Sequence, residues 1–193
     1  IVGAAPECRL FIAKGLGDDG SGSNEGIARC VDWLVSCKVH IISMSLGGPS
    51  NSTILKRAID NALSKGIIVV AASGNEGPRS NTVGYPARFL ADNPMGLSVG
   101  SINRMLELSR FSSRGEQVDV TAPGERVTVS HPPNIIAVLD GTSFACPIVA
   151  GIVALALAAG VPADQVCQRI RETVIDLGPP GKDVGYGYGL VDP

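Results

Sequence analysis

Ile67-Ile68-Val69-Val70-Ala71-Ala72-Ser73-Gly74-Asn75-Glu76-Gly77 is the stretch on which the fold turns. An unbroken apolar run rich in β-branched residues reads as a strand buried on both faces, as in a parallel sheet. Glycines and polar residues follow directly, where such a strand would end. On its N-terminal side, Thr53 to Lys65 carries Ile54, Ala58, Ile59, Ala62 and Leu63 at helical spacing, and Gly66 stands where a helix wants a left-handed residue. Upstream, His40 to Ser45 reads as a second strand. Ser23 to Lys38 reads as a helix through Ile27, Val31, Leu34 and Val35, and Cys8 to Ala13 as a further strand. This alternation predicts an α/β fold, a mostly parallel sheet covered by helices on both faces.

The second half departs from the alternation. Gly96 to Ile102 reads as a strand, and Val118 to Val120 leads into a turn at Ala122-Pro123-Gly124. Val127 to Ser130 and Ile135 to Val138 pair as a hairpin around His131-Pro132-Pro133. Ser143 to Ala159 is apolar nearly all round, which places that helix at the centre of the molecule. Pro162-Ala163-Asp164 opens a last amphipathic helix through Arg171. No repeat, linker or low-complexity segment interrupts residues 1–193, so they read as one unit.

Composition narrows the function classes. A net charge of −2 over 193 residues gives no basic surplus for neutralising phosphates, which excludes that mode of nucleic-acid binding. The longest apolar stretch, Ile148 to Val161, is interrupted by glycine and too short to span a bilayer. The 5 cysteines are an odd count, so at least one is unpaired within the chain. Cys30 and Cys37 lie about two helical turns apart, ~10 Å along the axis, too far for a bridge. The absence of a disulfide framework fits a reducing compartment. The 24 glycines and 13 prolines exceed the usual share of about 12% and sit in short clusters rather than in a tract.

Several of those clusters stand at strand ends or helix starts. In Gly141-Thr142-Ser143-Phe144-Ala145-Cys146-Pro147, a serine opens the buried helix. Backbone N–H groups at a helix N-terminus stabilise negative charge, which suits a nucleophile whose attack makes an oxyanion. A plain helix cap is the commoner reason for a serine in that place. Asn75, held between glycines after a buried strand, can aim its amide N–H at a developing charge; an ordinary turn has the same composition. Ser45-Leu46-Gly47-Gly48 and Gly20-Ser21-Gly22 leave backbone open to an extended peptide, and are also common turn sequences.

Taken in order, these motifs resemble the subtilisin-like serine proteases, the subtilase family. Gly141-Thr142-Ser143-x-Ala145-x-Pro147 is similar to the family's nucleophile motif, Ala72 to Gly77 to its oxyanion segment, and Met44 to Gly48 to its substrate-binding strand. Val2-Gly3-Ala4-Ala5-Pro6, Thr82-Val83-Gly84-Tyr85-Pro86, Phe111-Ser112-Ser113 and Gly187-Tyr188-Gly189-Leu190-Val191 match further family segments. The resemblance implies a three-layer subtilisin-like fold and a serine endopeptidase acting through an acyl-enzyme on Ser143. Asn75 and the Ser143 backbone N–H would form the oxyanion hole. Gly20, Ser21, Gly22, Ser45, Leu46 and Gly47 would bracket the substrate backbone. Gly74, Glu76 and Gly84 would line the primary specificity pocket. It also implies a cis bond at Tyr85-Pro86.

The resemblance is to the C-terminal part of the catalytic domain. The family's catalytic Asp and His come from segments preceding the part matched here, and the strand carrying the Asp lies centrally in its sheet. His40 and His131 sit in neither the family's His motif nor any equivalent, and read as strand-edge and loop residues. Asp32 and Asp140 match no catalytic-Asp motif. The expected partners are therefore a peptide or protein substrate and an N-terminal segment of the same protease carrying Asp and His. Without that segment the chain alone is expected to be inactive, and an open sheet edge is expected to promote self-association. No metal ligands or other cofactors are expected within these residues; calcium, where bound, would belong to the upstream part. The alternatives are a peptide-binding pseudoprotease and a structural or assembly subunit.

Overall fold

The alternation read from the sequence is realised as α1 (Asn24–Ser36), β1 (Ile41–Met44), α2 (Thr53–Ser64) and β2 (Ile68–Ala72). There follow β3 (Gly96–Ile102), β4 (Val120–Pro123), the hairpin β5 (Val127–His131) and β6 (Ile135–Leu139), α3 (Thr142–Ala158) and α4 (Ala163–Thr173). The computed structural model describes residues 3–91 and 93–192, so Val2, which opens the quoted Val2–Pro6 segment, lies outside the described residues.

Ser23 starts α1 by accepting the Gly26 N–H at 3.0 Å, and Ser52 starts α2 by accepting the Leu55 N–H at 3.3 Å. Gly66, at φ +77°, turns the chain out of α2 into β2. The four main strands lie in the order β1-β2-β3-β4, all parallel. β2 and β3 are buried along their whole length, as their continuous apolar sequences require. Alternation sorts the faces of β1. Ser43 faces α3, its Oγ 3.6 Å from Cys146 Sγ, whereas Ile42 and Met44 face α1. The result is three layers, with α1 and α2 on one face of the sheet and α3 on the other.

The sequence expectation fails at residues 8–13. This apolar run forms no strand: it has no ladder partner among the described residues, and Leu10 and Ile12 are 73% and 77% exposed. A strand exists through its neighbour, and apolar content alone does not supply one. Just before it, the chain rests on α3, where Ala4 Cβ lies 2.7 Å from the place a Cβ on Gly151 would occupy. β1 is the first strand of the sheet, and its outer edge is unpaired among the described residues. β4 also starts later than expected, at Val120, and continues to Pro123.

α4 is fastened from below by one buried cation. Arg171 pairs with Asp119 at 3.1 Å and donates to the carbonyls of Asn93 and Gly96 at 3.1 and 2.7 Å. The second carboxylate oxygen of Asp119 accepts the Ser98 N–H at 3.0 Å. Burial pushes the Asp119 carboxyl above its ordinary value, partly offset by the Arg171 charge.

Candidate active site

Parallel pairing puts the ends of β1 and β2 side by side, with Met44 in register with Ala71. The residues beyond those ends, Ser45 to Gly47 and Ser73 to Asn75, therefore emerge together at the C-terminal edge of the sheet, where open α/β folds place their ligands. α3 packs across the strands and starts at this same edge. Gly141, at φ +153°, turns the chain into it without any side-chain cap.

Three residues meet at that start. Asn75 Oδ1 accepts from Thr142 N and from Thr142 Oγ1, both at 3.0 Å. A backbone N–H can only donate, so the amide oxygen must face Thr142 and the Nδ2 group faces away. That NH₂ group has no hydrogen-bond partner among the described residues. Thr142 Oγ1 in turn accepts the Gly74 N–H at 3.3 Å. Ser143, the second residue of α3, has no carbonyl four residues back within the helix to receive its N–H. Two donors, Asn75 Nδ2 and the Ser143 N–H, thus belong to residues joined through Thr142. This is the chemistry an oxyanion hole needs.

The remaining predicted residues form the surroundings. Ser45 bonds directly to Ser143, its Oγ 2.8 Å from the Ser143 carbonyl. Leu46 and Gly47 follow it, and Gly48 exchanges two backbone hydrogen bonds with Tyr85, each 2.9 Å. The Gly84 N–H donates to the Ser73 carbonyl at 2.9 Å, which holds that loop beside the β2 end. Glu76 Oε2 accepts from Ser113 Oγ at 2.8 Å and folds across the face of Gly74, so a side chain at 74 would strike it. Gly20, Ser21 and Gly22 form a turn closed by the Gly17 N–H on the Ser21 carbonyl at 2.7 Å. No hydrogen bond joins them to Ser45 or Ser143. A cleft of about 280 Å³ runs between residues 13–16, α1 and β1. The Tyr85-Pro86 bond is cis.

The histidines are elsewhere. His40 is exposed just before β1, and His131 Nδ1 bonds the Pro132 carbonyl at 2.6 Å. Among the described residues Ser143 Oγ reaches only the Ser45 carbonyl, at 3.4 Å. Cys146 is fully buried, and burial pushes its thiol up, against hydrogen bonds with Ser43 and Ser45. Among the described residues no three His, Cys, Asp or Glu side chains gather in a metal-binding group, and no helix is long and apolar enough to cross a membrane. Sequence reasoning missed Thr142 and Ser113. Each acts through a partner 67 or 37 positions away, which no local spacing encodes.

The model of the peptidase S8 subtilase family matches residues 1–189. The chain belongs to the subtilase family. Among curated subtilases, subtilisin DY of Bacillus licheniformis is 39% identical over 196 residues, covering 100% of this chain and 69% of that protein. Subtilisin E of Bacillus subtilis (strain 168) is also 39% identical over the full chain, which spans 50% of it. The major intracellular serine protease of the same organism is 44% identical over 159 residues, 80% of this chain and 49% of that protein. Among solved structures, sphericase matches with a TM-score of 0.84 at 28% identity, over 97% of this chain and 69% of that one. The S41 psychrophilic protease matches with a TM-score of 0.86 at 29% identity, over 97% and 70%. This chain thus spans half to about two thirds of the length of these three curated relatives.

Proposed function

We propose that this chain carries the nucleophile, oxyanion hole and much of the substrate groove of a serine endopeptidase. Ser143 Oγ attacks a peptide carbonyl and its proton passes to a base. The carbonyl oxygen becomes an oxyanion facing Asn75 Nδ2 and the Ser143 N–H. The C–N bond then breaks, the amine leaves with the proton, and water hydrolyses the ester on Ser143. The observation that carries this reading is the Thr142 clamp, which turns the Asn75 amide outward next to the N-terminus of α3.

The base and its orienting carboxylate belong, in this reading, to a segment of the same protease outside these 193 residues. The edge of β1, unpaired among the described residues, and the exposed residues 8–12, which form no strand, are the surfaces it would cover. A peptide-binding module lacking the base is the second reading, favoured by one observation: no histidine among the described residues bonds Ser143. A fluorophosphonate probe separates the two in the full-length protein. The endopeptidase reading expects labelling of Ser143, lost in Ser143→Ala. Peptide binding without labelling selects the module.

A further inference from the structure

The motif Ser143-x-Ala145-x-Pro147 places a proline four residues after the serine, in the early turns of α3. In an uninterrupted helix the N–H of residue 147 would donate to the Ser143 carbonyl. Pro147 has no N–H, so that carbonyl is left without its helical partner. Another donor takes the vacant place. Ser45 Oγ, from just beyond β1, lies 2.8 Å from the Ser143 carbonyl oxygen, 98 positions away in sequence. The contact is reciprocal, since Ser143 Oγ reaches the Ser45 carbonyl at 3.4 Å. One turn further on, Cys146 Sγ lies 3.6 Å from Ser43 Oγ, so the same strand end holds the helix at a second point.

We propose that Ser45 is a positioning residue for the Ser143 nucleophile. Its hydroxyl replaces the N–H that Pro147 lacks and fixes the first turn of α3 against the end of β1. This goes beyond backbone contact with substrate, because it acts through the side chain and on the nucleophile's own residue. The proline and the serine form one device. The proline frees the carbonyl from the helix, and the serine ties it to the sheet, so the helix start is set by the sheet edge that also carries the substrate strand. A reacting oxygen held this way keeps its attack geometry, and small displacements of a nucleophile cost large factors in rate.

The proposal rests on the endopeptidase reading, and its test is a double-mutant cycle in the full-length protein. Ser45→Ala is expected to lower kcat and the rate of fluorophosphonate labelling by about tenfold, with KM changed by less than about twofold. Ser45→Thr, which keeps the hydroxyl, restores most of the loss. In a Pro147→Ala background the N–H regained at position 147 can satisfy the Ser143 carbonyl, so the effect of Ser45→Ala shrinks to under about threefold. An effect of Ser45→Ala that is equal in both backgrounds, or that falls on KM alone, overturns the proposal while labelling of the unmodified protein leaves the endopeptidase reading intact. Failure of the unmodified protein to label overturns both.

Discussion

Thr142 shows how a single side chain converts a turn into a site. In the proposed endopeptidase Asn75 and Ser143 carry the chemistry, and the residue between Gly141 and Ser143 sets their geometry. Thr142 gives two hydrogen bonds to Asn75 Oδ1 and takes one from Gly74. Removing a side-chain donor at an oxyanion hole costs ~10²–10³ in kcat, a magnitude measured in subtilisin, a member of this chain's own family. On that scale Asn75→Ala is expected to lose most of kcat with little change in KM. Thr142→Val keeps the backbone donor and loses the hydroxyl, so a smaller loss of about tenfold is expected, again in kcat. Steady-state kinetics on a peptide substrate check both. If Thr142→Val matches unmodified protein, the clamp has no part in setting the amide. The residue types were legible in the sequence because glycine, asparagine and serine at strand ends suggest such chemistry. The clamp was not, because it joins positions 67 apart.

At the level of elements, the periodic segments were the most legible. α1, α2, α3, α4 and β3 lie within a residue or two of their expected bounds, since apolar spacing and caps are local properties. The anchoring of α4 was not legible. Asp119 and Arg171 are ordinary charges in sequence, and only the fold buries them to 1% and 8% side-chain exposure. Arg171→Met is expected to destabilise the protein by about 3 kcal/mol at neutral pH, because it leaves the Asp119 carboxylate buried without its partner. The pH dependence has a definite sign. Burial raises the folded-state pKa of Asp119 above its unfolded value, so this group favours folding most below the unfolded pKa. That contribution is lost as pH rises through the folded pKa. Without Arg171 the folded value rises further, so the penalty is larger at neutral pH than at acid pH and shrinks on acidification. Urea denaturation at neutral and acid pH tests this; a penalty that grows on acidification contradicts it.

For the whole molecule, the edge of β1, unpaired among the described residues, and the exposed Leu10 and Ile12 are one problem seen from two sides. Unpaired strand edges and exposed apolar segments seek partners. The 193-residue chain on its own is expected to show a concentration-dependent mass by light scattering, reduced by Leu10→Lys with Ile12→Lys. A constant monomeric mass, unaltered by those substitutions, counts against the edge as an association surface. By itself the sequence determined the family and, from α1 onward, the order of strands and helices, and it marked the residues proposed here for the chemistry, because periodicity, turn residues and motif spacing are written along the chain. Tertiary structure alone decided which strands pair, that residues 8–13 pair with none of the described residues, and how Thr142, Ser45 and Arg171 hold their partners. Those outcomes depend on contacts between positions far apart in sequence, and local patterns carry no information about which distant groups will meet.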